Sequence, residues 1–537
     1  MKEKLCLFFT ENKLNSRKNI HFNKPDYSQI SSFLKSLICL ILFLFLSIPA
    51  YSISHKTINL DFVNNLAKNL AKGKYSPEDY KLPVKAAALT RTQYNQIKFQ
   101  KDKQLWDAKD MIFRLNLYPL GAVYSFPVKI NEFKNNYLQD FRYSPELYDF
   151  GSIKKAMNNI SAYAGFKLLC QLNKKNDYVP FADFLGGSTL KALGRKNFPG
   201  AYTEGISINP NIPEVKSEYA YFKEFWIGQP EPKASTVTVY ALLDSPSVTG
   251  AYEFQLTPEA VTTIKVKSII YLRNSVKLLG LSPILSSFYY GENSKNIFKY
   301  NHPEVHSSDG LIISTAETQT WQPLVNPDKE RITLFPVKNI KYFGLLQRDR
   351  NYSNYLNPGT PYQLEPNVWV TPNNHWGSGT VYLIESPIKT EIFDSNIKVI
   401  WIPDTGIKPG TPYKFDYTIN WSMNQPEQKL GAVQSTSLKT NPLNDKQTNF
   451  IIYFSGTKLD KMDAVANIKA ATTISSNAII VGDPQIFKDP YNNQWCVVLT
   501  VEQAKKSVPL LPLYNLTCKL TEKNKTLTET WSYRWRP

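Results

Sequence analysis

Hydrophobic and polar positions alternate with a period of two through most of this chain. From about residue 95, runs such as FRLNLYPLGAVYSFPVKI (113–130), STVTVYALL (235–243), TTIKVKSIIYLR (262–273), GTVYLIES (379–386) and NIKVIWIP (396–403) are rich in β-branched and aromatic residues. Turns of Pro, Asn, Asp and Gly separate them, so these runs predict strands. No helical pattern alternates with them, which argues against a doubly wound parallel sheet and for a large antiparallel sandwich. The clearest helix is Asp61 to Gly73, DFVNNLAKNLAKG, with Phe62, Val63, Leu66 and Leu70 on one face. Asp61 is the expected start and Gly73 the expected stop of this packing helix.

Around residues 423–448 the chain turns polar and loses its alternation, which predicts a linker. Beyond it, NFIIYFSG, ATTISSNAIIVG, NQWCVVLTV, YNLTCKLTE and ETWSYRW predict closely spaced strands over residues 449–537, the size of an immunoglobulin-like sandwich. At the other end, Leu37 to Ile48 is an unbroken apolar run behind Lys35, and Ala50 and Ser52 are small. Residues 1–52 are therefore expected to be a secretory signal peptide. The run is shorter than the ~20 residues of a membrane span. Residues 53–422 then form the large sandwich, and the mature chain is exported.

A chain of 537 residues that is 42% hydrophobic and 13% aromatic can bury a large core, which excludes a disordered protein. Of the formal charge of +18, residues 1–52 hold +4, leaving +14 for the rest. A solvated basic surface accounts for this, and an anionic neighbour is the other reading. No basic run is interleaved with aromatics, so nucleic acid is not an expected partner. The mature chain keeps Cys170, Cys496 and Cys518. Cys496 and Cys518 either pair across neighbouring strands or stay as buried thiols.

One segment concentrates chemistry: HPEVHSSDGL (302–311), with His302 and His306 four apart around Glu304. Pro303 and the following Ser-Ser-Asp-Gly give it the look of a loop or strand end, not of the helical HExxH of a zinc protease. No metal site and no cofactor is expected. A GxSxG elbow and a phosphate-binding glycine loop are absent as well. Carboxylates near strand ends remain: Asp244, Glu304, Asp309, Asp349, Glu385 and Asp394. Trp226, Trp321, Trp369, Trp376 and Tyr352 lie in the same segments. Acids and aromatics on one face of a β sandwich suit sugar recognition, and two carboxyls suit glycosidic cleavage.

Several of these segments together carry a resemblance. EFWIGQPEP (224–232), VYALLDSPSVTGAY (239–252), YLRNSVKLLGLSPILSSFYYGEN (271–293), HPEVHSSDGL, WQPLVNP (321–327), FGLLQRDRNYSNY (343–355) and WVTPNNHWGSGTVYLIESP (369–387) occur in this order. In order and spacing they resemble the periplasmic glucans biosynthesis protein G and D family of Gram-negative bacteria. The resemblance implies a mainly β fold, in which a galactose-mutarotase-like sandwich is joined by a short linker to a small immunoglobulin-like domain. It implies a periplasmic location, a β-1,2-linked glucan as partner, and a membrane glucosyltransferase as a further one. It gives no oligomeric state.

Some members of that family cleave β-1,2-glucan with inversion, through an aspartic acid and a second aspartate acting as base by a proton relay. On this resemblance the general acid corresponds to Asp394, in ESPIKTEIFDSNIKVIW. The base position is held by Ser307, because the family's Pro-Glu-Val-His-Asp-Ser reads PEVHSS. Glu304, His306, Asp309, Arg348, Arg350, Tyr352, Trp369, Trp376 and Glu385 are the expected substrate-binding residues. Other departures put Glu204 and Glu365 where the family has arginines. Two functions follow: a glucanase with an altered base, or a non-catalytic glucan-binding and assembly factor.

Overall fold

The computed structural model describes residues 57–77, 81–135, 137–294, 302–391, 395–456, 458–475, 478–503 and 513–536. The expected signal peptide and Asp394 lie outside the described residues. The expected strands are strands, including Val237–Asp244, Thr262–Leu272, Ser378–Glu385 and Ile397–Pro403. The expected run 113–130 divides into Phe113–Pro119 and Lys129–Lys134 around a turn.

Among the described residues these strands build a ten-stranded and a fifteen-stranded sheet, which face each other. Phe166 and Phe184 come from the first sheet; Phe225 comes from the second. The two sheets interlock where Phe166 meets Phe184 at 4.9 Å and Phe225 at 5.0 Å between ring centroids. The alternation read from the sequence has a direct counterpart here. Val237, Val239, Ala241 and Leu243 point into this core, while Tyr240 and Leu242 point to the opposite face. Burying each of the valines and leucines contributes about 1.5–3 kcal/mol.

That opposite face is covered by the expected helix, Leu60–Lys72, whose Val63 and Ala67 pack among Trp226, Ala251 and Ile269. Its cap is Asn59 rather than Asp61: the Asn59 side chain accepts from the Phe62 N–H at 2.8 Å. Asp61 sits in the first turn, where its charge suits the helix dipole.

The expected linker at 423–448 is corrected by the structure. Ala432–Asn441 and Asn444–Ser455 are paired strands at one edge of a five-stranded sheet, so only 423–431 connects. The register shifts between Val433 and Ser435, which breaks the two-residue period. An edge strand with half-exposed polar residues on a shifted register reads as loop.

The five-stranded sheet packs Phe450, Trp495, Val497 and Leu499 against Leu516, Trp531 and Trp535. The last three belong to strands that continue the fifteen-stranded sheet. Thr320 and Trp321 pair in parallel with Thr530 and Trp531. Cys496 and Cys518 therefore stand in two different sheets, and both are free and buried. Of the two alternatives, the buried thiols hold, with burial pushing Cys518 up to about 12.

Candidate functional site

The site grows from a two-stranded pairing, Phe288–Tyr290 with Val305–His306. Pro303 cannot donate a backbone hydrogen bond, and Gly310 opens the next strand, so HPEVHSSDGL is held as a turn between strands. His306 is buried and lies flat against Phe288, their rings 5.3 Å apart. Its Nε2 meets Glu304 Oε2 at 2.7 Å, and its Nδ1 meets Gln347 Oε1 at 3.1 Å and Asp309 Oδ1 at 3.3 Å.

Burial alone would lower the pKa of this imidazole. The Glu304 hydrogen bond and the charges of Asp309, Glu304 and Glu292 outweigh it and push the group up to about 10. His306 is thus a buried cation at neutral pH, and both ring nitrogens donate. Glu292 is raised as well, which for a carboxyl favours the neutral form. Burial, then Glu304 and Asp309, push it up to about 8, against the Thr436 N–H, which donates to it at 3.1 Å. Burial also raises Asp309, whose Oδ2 accepts from the backbone N–H groups of Arg348 and of Asp349, the latter at 2.8 Å.

Gln347 ties the corner to the next segments. Its amide donates to the His306 carbonyl at 3.0 Å and to Tyr355 Oη at 2.8 Å. Buried Ser307 Oγ and half-buried Ser287 Oγ are 2.9 Å apart, and the Glu365 carboxyl neighbours Ser307. The flanks of residues 392–394 end here too. Glu391 accepts from Tyr362 Oη at 2.8 Å, Ser395 Oγ and Tyr202 Oη are 3.1 Å apart, and Asn396 clasps the Phe288 backbone at 2.8 and 2.9 Å.

The structure thus brings together Glu304, His306, Ser307, Asp309 and Arg350, the last donating to the carbonyls of Gln363 and Glu365 at 2.9 and 2.5 Å. Tyr352 is exposed nearby, on the short helix Tyr352–Tyr355. Four other expected residues are engaged elsewhere. Arg348 pairs with Glu529 at 2.5 Å and covers the Trp321 ring at 3.5 Å. Trp369 lies across from Gly344, where a Cβ would leave it no room. Trp376 packs on Trp401, 4.9 Å between rings. Glu385 is buried against Arg331 at 2.6 Å, behind a groove of about 820 Å³ lined by Lys329, Arg331, Lys389 and Arg534.

Sequence reading did not single out Glu292, Gln347, Tyr355 or Ser287. None sits at a spacing that marks chemistry, and two segments outside residues 302–311 supply them, 287–292 and 347–355. His302 turns away from His306, its Nδ1 lying 3.2 Å from the Leu356 carbonyl. Among the described residues no group of His, Cys, Asp and Glu is arranged to hold a metal ion. The corner offers instead buried proton donors and acceptors beside the half-buried Ser287 hydroxyl and the exposed Tyr352.

Comparison with protein-family models matches residues 58–535 to the family described as periplasmic glucan biosynthesis protein, MdoG. The match spans both sandwiches and nearly the whole described chain. The chain therefore belongs to the MdoG family of periplasmic glucan biosynthesis proteins, and it is a periplasmic protein of that process.

Proposed function

We propose that the protein binds a β-1,2-linked glucan at the His306 corner and cleaves it slowly, with inversion. The observation that carries this reading is the convergence of Ser307, the buried His306 network and the described residues on both sides of 392–394. Asp394 acts as general acid, giving its proton to the leaving sugar oxygen while water attacks the opposite face of the ring. His306 and Glu304 stiffen the wall behind Ser307 and do not touch the sugar. Ser307 is not ionised near neutral pH, and losing a positioned base costs roughly 10²–10⁴-fold in rate. Slow turnover is the consequence.

That same serine favours a second reading, a glucan-binding factor that hands chains on from a membrane glucosyltransferase without cutting them. Purified protein incubated with linear β-1,2-glucan, beside Asp394→Asn, separates the two. Slow release of reducing ends by the wild type, abolished in Asp394→Asn, supports cleavage. Binding without release over a long incubation overturns it and leaves the binding factor.

A further inference from the structure

Glu365 is a carboxyl that the fold has buried and left idle. It follows the turn Tyr362–Leu364 and is 2% exposed. Its Oε2 is buried without a hydrogen-bond partner. Gly200 packs so closely against it that a Cβ there would overlap the Glu365 Cβ, Cδ and Oε2. The obvious structural explanation would be an ion pair with Arg350, and the geometry does not provide one. Arg350 spends Nη1 on the backbone carbonyls of Gln363 and Glu365, and its Nη2 is itself buried without a partner.

What the carboxyl does face is the Ser307 hydroxyl, and beyond it Ser287 Oγ, 2.9 Å from Ser307 Oγ. Ser287 is half-buried where Ser307 and Glu365 are buried, so the pair leads from the carboxyl towards the surface. The Glu365 carboxyl therefore neighbours the first of two hydrogen-bonded hydroxyls, each able to accept one proton and pass on another.

We propose that Glu365 is the proton-accepting carboxyl of this site, acting through the Ser307–Ser287 hydroxyl pair. The inference rests on the cleavage reading above. As water attacks the anomeric carbon, the carbon–oxygen bond to the leaving sugar breaks and Asp394 gives that oxygen its proton. The water's proton passes to the hydroxyl pair, which hands one proton on to the Glu365 carboxylate. One water is consumed; Asp394 ends deprotonated, Glu365 ends protonated, and exchange with solvent resets both. A serine at 307 is then a relay whose acid–base partner lies one step deeper.

The proposal has a signature in pH. Burial raises Glu365, and although Ser307, the His306 cation and Arg350 all pull it down, it is pushed up to about 8. Tyr362 also faces it, with Glu391 beyond. Glu365 accepts a proton only when ionised, so release of reducing ends rises with pH through about 8. The test measures that release from linear β-1,2-glucan between pH 5.5 and 9 for wild type, Glu365→Gln, Ser307→Ala and Asp394→Asn. Glu365→Gln is expected to lower kcat by roughly 10²-fold or more and to abolish the rising limb, with KM nearly unchanged. Ser307→Ala is expected to lose the limb as well, which keeps the test open if Glu365→Gln folds poorly. Ser307→Asp combined with Glu365→Gln should restore release with the limb moved to the ordinary carboxylate range. If release is Asp394-dependent but keeps its rate and limb in Glu365→Gln or in Ser307→Ala, the relay is wrong and the cleavage reading stands. If the wild type binds glucan and releases nothing at any pH, both fall.

Discussion

At the scale of single residues, the His306 corner couples stability to pH. His306 has its folded pKa raised to about 10 and Glu292 to about 8. Both groups hold protons more tightly in the folded chain than in the unfolded one. Such groups favour folding at low pH, and that contribution is lost as pH rises through the folded pKa. For Glu292 the decline begins above its ordinary value and ends near 8; for His306 it begins above about 6.5 and ends near 10. The unfolding free energy from urea titrations should therefore fall between pH 6 and 10, by an amount on the order of a few kcal/mol. In His306→Gln the part of the fall above pH 8 should disappear. A midpoint that is flat from pH 6 to 10 would contradict the charged imidazole. Little of this corner was legible beforehand. His306, Glu304, Asp309 and Ser307 stand in one decapeptide and are readable, and Glu365 stands out as a departure from the resemblance, but Glu292 and Gln347 reach the corner only through the fold. Arg348 and Glu385 also have partners the sequence does not reveal, since Glu529 and Arg331 come from distant segments.

Elements were readable wherever one face was buried and the other was not. Val237–Asp244 shows this: its inward Val, Val, Ala and Leu alternate with residues that meet the helix or solvent. The helix itself was plain from its period, while its cap was displaced by two positions. Asn59 and Asp61 are both good cap types, and only the backbone at Asn59, extended rather than helical, decides between them. Asn59→Ala should cost about 1 kcal/mol in a denaturation midpoint, and Asp61→Ala clearly less, since it removes a dipole contact and no cap. Equal losses would return the cap to Asp61. The hairpin Ala432–Asn441 and Asn444–Ser455 failed to show itself for a physical reason. A register shift and an exposed edge remove the alternation on which strand reading depends.

For the molecule as a whole, that hairpin changes how the two sandwiches relate. The large sheet runs on from Gln319–Pro323 into Thr530–Trp535, so the last strand of the chain completes a sheet begun in the first sandwich. Side chains bolt the seam. Arg348 reaches Glu529 at 2.5 and 3.1 Å and the Val433 carbonyl at 2.6 Å, Arg331 donates to the Arg534 carbonyl at 2.7 Å, and Arg534 donates back to the Ile332 carbonyl at 2.6 Å. The side chains of Arg348 and Glu529 are 1% and 0% exposed, so neither charge has water to fall back on. Removing one partner of such a pair typically costs about 3–5 kcal/mol, because the other charge stays buried and alone. Glu529→Gln is therefore expected to lower the midpoint of the entire protein by that amount. Residues 57–537 form one compact unit, so calorimetry should show one transition in both the wild type and Glu529→Gln. Two transitions, with only the later one moved by Glu529→Gln, would mean that the C-terminal sandwich unfolds on its own and that the shared sheet is a contact and not a common core. With a single transition, the C-terminal sandwich becomes part of the scaffold that holds Arg348. The neighbouring Asp309, which accepts from the Arg348 backbone, then links the seam to the His306 corner.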